Sequence, residues 1–204
     1  TTGVVTATIS DGAVATTLDA IGNVGTGDSI TFTTTDTTAD ASDLVALDAK
    51  VDTFTTTNVT KITEAAASIG TSAATVTDAL ALAANADVTI TNAISAANLD
   101  TIANATTGVV TATIAADTAL SDATVTAVGN VGTGDTITLA STVTTADATA
   151  LVALNTLADT KSFSNVSTIT EVAASIGTNA ATVTSALAIA ANADVIIATV
   201  VAGT

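Results

Sequence analysis

The groups able to do chemistry are 19 carboxylates, three lysines and a large stock of hydroxyls. Arg, His, Cys, Met, Trp, Tyr, Pro and Gln do not occur. That removes thiol nucleophiles, imidazole bases, thiolate or imidazole metal ligands and guanidinium clamps. General acid–base work by paired carboxylates remains open in principle, but it needs them gathered in a cleft. Glu64 and Glu171 are the only glutamates and occupy equivalent places in a repeat, which fits a role in the repeat's own fold. Lys61, three residues before Glu64, would add only a weak surface pair. Asp36, Asp40 and Asp43 stand at i, i+4 and i+7. On one helix face their oxygens could hold a hard cation, although helix capping and solvation explain them better. Only Asp40 has an aspartate counterpart in the second copy, Asp147.

GNVGTGD occurs at 22–28 and again at 129–135. A dinucleotide loop runs from strand through glycines to helix. Here the order is helix, glycines, strand, and Asp28 and Asp135 would repel phosphate. The motif therefore reads as a helix stop and turn. Asn58-Val-Thr, Asn104-Ala-Thr and Asn165-Val-Ser match the glycosylation triplet, but asparagine at a turn is the simpler reading. An isopeptide link from Lys61 or Lys161 to an asparagine lacks support. The reading is accordingly of a protein that is not an enzyme, with no catalytic residue, cofactor or metal ligand assigned.

The elements behind these groups come from an unusual composition. The 204 residues, enough for one domain or two small ones, include 48 Thr and 46 Ala. Net charge is −16, so three lysines cannot build the basic patch that nucleic acid or an anionic membrane requires. Acidic chains with few aromatics are often disordered, yet a mean hydropathy of +0.64 and regularly spaced Val, Ile and Leu favour a fold. Without Cys there is no disulfide stapling. Without Met, Thr1 is expected to be a processed end or the edge of a longer repeat protein. Val172 to Ala193 carries no charge over 22 residues. Its polar residues and one-sided apolar stripe predict a buried amphipathic helix and no membrane span.

An internal repeat organises the chain. TTGVVTATI at 1–9 returns at 106–114, AASIGTSAATVT at 66–77 returns nearly unchanged at 173–184, and AANADV at 83–88 returns at 190–195. The reading is of a first long repeat over 1–105 and a truncated second over 106–204, together one continuous domain. β-rich runs lie at 4–9, 29–34, 59–63, 88–91, 109–114, 136–139, 166–170 and 195–199. They alternate apolar and Thr residues, as Ile30 and Phe32 do with Thr31 and Thr33, which predicts strands with one buried face. Between them, Leu44, Leu47 and Val51 show helical spacing, as do Val76, Leu80 and Ala83, and Val183, Leu187 and Ala190. Thr38 or Asp40, and Thr145 or Asp147, are the expected caps. Gly22-Asn23, Asn85, Gly129-Asn130 and Asn192 are expected to close helices. The predicted fold is α/β, a right-handed solenoid of about eight strand–helix coils in two long repeats. A closed β/α barrel and an all-β solenoid are the alternatives.

LVALDAKVDTFTTTNVTKIT at 44–63 and LVALNTLADTKSFSNVSTIT at 151–170 carry a pattern of L-x-x-L, polar residues, a Thr-rich turn and a V-x-x-I strand. This resembles the Ala/Thr/Asp-rich tandem repeats of very long cyanobacterial surface and secreted proteins. The resemblance implies an extracellular or cell-surface structural role and supplies no catalytic residues. The calcium-binding G-G-x-G-x-D turn of many secreted arrays is missing. The expected function is head-to-tail assembly with copies of itself into a filament, matrix or surface layer, with cell-surface polysaccharide as a further partner. A spacer or adhesion module of a giant surface protein and an ice-binding Thr-ladder solenoid are the alternatives. VVAGT followed by TTGVV would nearly recreate the internal NATTGVV, so the expected interface is Thr1, Thr2, Gly3, Val4, Val5, Val195, Ile196, Ile197, Val200 and Val201.

Overall fold

A computed structural model describes residues 3–25, 27–65 and 73–198, and for 172–179 the backbone alone. The chain separates into two compact units, residues 1–92 with 101–111 and residues 93–100 with 112–204. The first contains β1 (Thr6–Thr8), α1 (Val14–Ala20), β2 (Ser29–Thr33), β3 (Thr38–Asp40), α2 (Ala41–Asp48), β4 (Thr53–Thr55), β5 (Lys61–Glu64) and α3 (Ala74–Leu82). The division falls within β6 (Asp87–Ile94), α4 (Ala96–Ala105) and β7 (Val110–Ile114). The second unit continues with α5 (Asp122–Thr126), β8 (Thr136–Ala140), β9 (Thr145–Asp147), α6 (Ala148–Leu157), β10 (Thr160–Ser162), β11 (Thr168–Val172), α7 (Ala173–Ile189) and β12 (Asp194–Ala198). This is a mixed α/β fold with seven helices among the described residues.

In the first unit the strand orders are β1-β2-β4 and β3-β5-β6. Pairing is parallel, with Thr6 opposite Ser29, Thr31 opposite Thr53, Thr38 opposite Lys61 and Lys61 opposite Asp87. Partners are thus 22 to 26 residues apart, the length of one strand–helix–strand excursion. A parallel pair requires such a crossover, and the Ala-rich segments supply it as a row in which α1 packs on α2 and α2 on α3. The second unit repeats the scheme. β9-β11-β12 is parallel, β8 pairs with β10, and α5, α6 and α7 pack in sequence. The described sheets are open, which excludes the closed barrel, and the helix rows exclude an all-β solenoid.

Core residues come from the inward strand face and the helix stripe. Ile30, Phe32, Leu44, Leu47, Ile62, Val76, Leu80 and Val88 are buried in the first unit, and Ile137, Leu139, Leu151, Leu154 and Ile169 in the second. Phe32 stacks on Phe54 with ring centroids 5.8 Å apart. Val51 and Ala83, expected on helices, are buried just beyond them.

The structure corrects or refines four expectations. The sequence reading foresees one strand per coil, but the three-residue strands β3, β4, β9 and β10 are additional. Three residues are too few for alternation to register. Thr38 and Thr145 open β3 and β9, and it is Asp40 and Asp147 that cap α2 and α6. The Asp40 carboxylate accepts from Ser42 N at 3.0 Å and that of Asp147 from Ala150 N at 3.0 Å. Gly22 and Gly129 follow helix ends, but neither has a left-handed φ. The chain turns there through short backbone bonds such as Val24 N to Ile21 O at 3.0 Å. In the last helix, Ala186 is buried while Val183 and Leu187 are only half-buried. Within the uncharged stretch 172–193, Ala173–Ile189 form α7, and among the described residues no helix is long and apolar enough to cross a membrane.

Candidate assembly site

The carboxylates turn out to be clasps between successive turns of the chain. A backbone N–H near the start of a strand or helix can lack a partner within its own element, and leaving such a group unpaired on burial is costly. Asp52 supplies an oxygen to Ile30 N at 2.7 Å, and Asp159, its repeat equivalent, to Ile137 N at 2.9 Å. Asp28 receives Val5 N at 2.8 Å, Asp36 receives Val14 N at 2.7 Å and Asp87 receives Val109 N at 2.8 Å. Each donor lies 22 or 23 residues earlier or later. Asparagines do the converse. Asn58 donates to Thr34 O at 2.8 Å and Asn165 to Ser141 O at 3.0 Å, so the amides of these two glycosylation-like triplets hold the fold.

The GNVGTGD turn is closed by its own aspartate. Asp28 also accepts from Gly25 N at 3.1 Å, and Asp135 accepts from Gly132 N at 2.8 Å. A carboxylate thus occupies the amides that a phosphate would need. The Val5 amide, then the Gly25 amide, hold the Asp28 carboxyl below the ordinary aspartate range. Asp40 goes the other way. Burial, followed by the nearby Glu64 carboxylate, raises it despite the amides of Asp43 and Ser42.

Asp36, Asp40 and Asp43 do not share a helix face, because α2 begins only at Ala41. Among the described residues no group of acidic side chains is arranged to hold a metal ion. Lys61 and Glu64 lie on opposite faces of β5, so the expected surface pair is wrong: a spacing of three sets side chains together on a helix but apart on a strand. Glu64 is buried and binds Ser42 Oγ at 2.5 Å, Ser42 N at 3.1 Å and Ala65 N at 2.8 Å. Lys161 Nζ donates to the Asn155 backbone carbonyl.

Of the expected interface, Thr1, Thr2, Val200 and Val201 lie outside the described residues. Gly3, Val4 and Val5 lead into β1, and Val195, Ile196 and Ile197 lie in β12. β1 pairs only with β2, and β12 only with β11, among the described residues, so each leaves one edge open. The repeat makes the exposure informative. Val5 is 41% exposed whereas its equivalent Val110 is 1% exposed. Val195 and Ile197 are 38% and 40% exposed, against 0% and 4% for Val88 and Ile90. The sequence reading missed the clasps. Their signal was there: Asp28, Asp52 and Asp87 keep their aspartates in the second copy as Asp135, Asp159 and Asp194, whereas Asp43 becomes Ala150.

Comparison with protein-family models, curated proteins and solved structures finds no match.

Proposed function

We propose that the chain is an extracellular or cell-surface structural repeat protein, an α/β solenoid segment that joins copies of itself head to tail into a filament, matrix or surface layer. The observation that carries this reading is the pair of open strand edges, β1 and β12, where Val5, Val195 and Ile197 are exposed although their repeat equivalents Val110, Val88 and Ile90 are buried. An exposed apolar edge is a template for another chain unless it is blunted. Two different edges that recognise each other make a heterologous contact, and such a contact propagates. The composition agrees: a net charge of −16 keeps particles apart except where a specific contact overcomes repulsion. No reaction is proposed, and the resemblance to cyanobacterial surface repeats supports the location.

Negative-stain electron microscopy across a concentration series tests the reading. Uniform filaments with an axial repeat close to one chain length are expected. Separate short rods at every concentration overturn it and favour the spacer module of a larger surface protein.

A further inference from the structure

The first unit contains a junction that can serve as a template. Residues 85–88 of one turn meet residues 106–109 of the next through several close contacts. Thr106 Oγ1 donates to Ala86 O at 2.8 Å and Thr107 Oγ1 to Asn85 Oδ1 at 2.9 Å. The Val109 backbone is gripped twice, its N–H by Asp87 Oδ1 at 2.8 Å and its carbonyl by Val88 N at 2.9 Å. Gly108 sits so close that a Cβ built on it would lie 2.5 Å from Ala86 O and 2.8 Å from Asp87 N. A side chain is therefore excluded there by backbone, which cannot move aside cheaply.

Both halves of this junction occur again in the sequence. Asn85-Ala-Asp-Val88 returns as Asn192-Ala-Asp-Val195, and Thr106-Thr-Gly-Val-Val110 returns as the chain's first five residues. β12 also lies on β11 in the register that β6 has on β5, since Val195 faces Ile169 as Val88 faces Ile62. Because a parallel strand points alternate N–H groups to opposite sides, the Val195 N–H is aimed outward as that of Val88 is. Among the described residues, neither the Asp194 carboxylate nor the Val4 N–H has a hydrogen-bond partner. A Cβ built on Gly3 meets nothing within 4 Å.

We infer that the open β12 edge takes the β1 edge of a second copy in this one register. Asp194 accepts the second copy's Val4 N–H, Val195 N–H donates to its Val4 carbonyl, and Gly3 abuts Ala193. The inference rests on the end-to-end assembly proposed above and specifies its contact. Association between separate copies is concentration-dependent.

Two single substitutions test the register, because a Cβ added at Gly3 meets nothing within 4 Å in the free chain and the Asp194 carboxylate has no hydrogen-bond partner among the described residues. Gly3→Ala blocks the β1 edge, and Asp194→Ala removes the acceptor on β12. Sedimentation velocity on each full-length variant is expected to show the wild-type monomer, an unchanged melting temperature and a critical concentration for assembly raised about 10- to 100-fold. Gly3→Ala keeps a sound β12 edge and Asp194→Ala a sound β1 edge. An equimolar mixture is therefore expected to form dimers that do not grow. Wild-type filaments together with unimpaired variants overturn the register and leave the assembly reading standing. A wild-type chain that stays monomeric overturns both.

Discussion

The clasps can be weighed by removing Asp52. Its carboxylate is 2.7 Å from Ile30 N, on a residue whose side chain is fully in the core. A hydrogen bond to a charged group contributes about 1.5–3 kcal/mol net. Because Asp52 is itself exposed, water screens part of that, and about 1–2 kcal/mol is the expected loss in Asp52→Ala. For a chain of this size the melting temperature should fall by about 2–8 °C. Asp52→Asn keeps a neutral acceptor and should lose about half as much. The repeat supplies an independent replicate, since Asp159→Ala breaks the same bond to Ile137 N at 2.9 Å. Urea unfolding followed by circular dichroism gives the free energies, with an unchanged m-value confirming that stability and not compactness has moved. The clasp argument is refuted if Asp52→Ala stays within about 0.5 kcal/mol of wild type, the range of ordinary surface changes. It is refuted equally if Asn proves as damaging as Ala.

Leu47→Ala, which empties a fully buried site on α2, should cost about 2–5 kcal/mol in the same urea assay, whereas Val4→Ala on the open edge should cost little in the monomer. Losing the cap in Asp147→Ala should cost about 1 kcal/mol, read as a lower urea midpoint. On the acid limb the two perturbed aspartates oppose each other. Asp28, held low by amides, contributes stability that is present above its unfolded value of about 3.9 and lost as pH falls through its lower folded value. Asp28→Asn should therefore flatten the fall in stability below about pH 4. Asp40, raised by burial, makes a contribution that worsens as pH rises from its unfolded through its folded value, so Asp40→Asn should steepen the rise in stability between acid and neutral pH.

Much of this protein was legible from its residues alone. Alternation in Val-Thr runs located β1 and all seven strands longer than three residues, because a strand with one buried face must repeat every two residues. Helical spacing of Leu44 with Leu47, and of Val76 with Leu80, located helix faces that are buried. The twofold repeat also sets identical residues in different surroundings, Val5 exposed against Val110 buried and Val195 exposed against Val88 buried. Tertiary structure decided the rest. β3, β4, β9 and β10 exist because a turn of chain lies against its neighbour 22 or 23 residues away, and their own three residues carry too little pattern to announce it. The same proximity turned solvent-seeming aspartates into clasps and sent Glu64 into the interior. A carboxylate reads as polar in any sequence, and only the position of another segment's unpaired amide decides whether it faces water or holds the chain together.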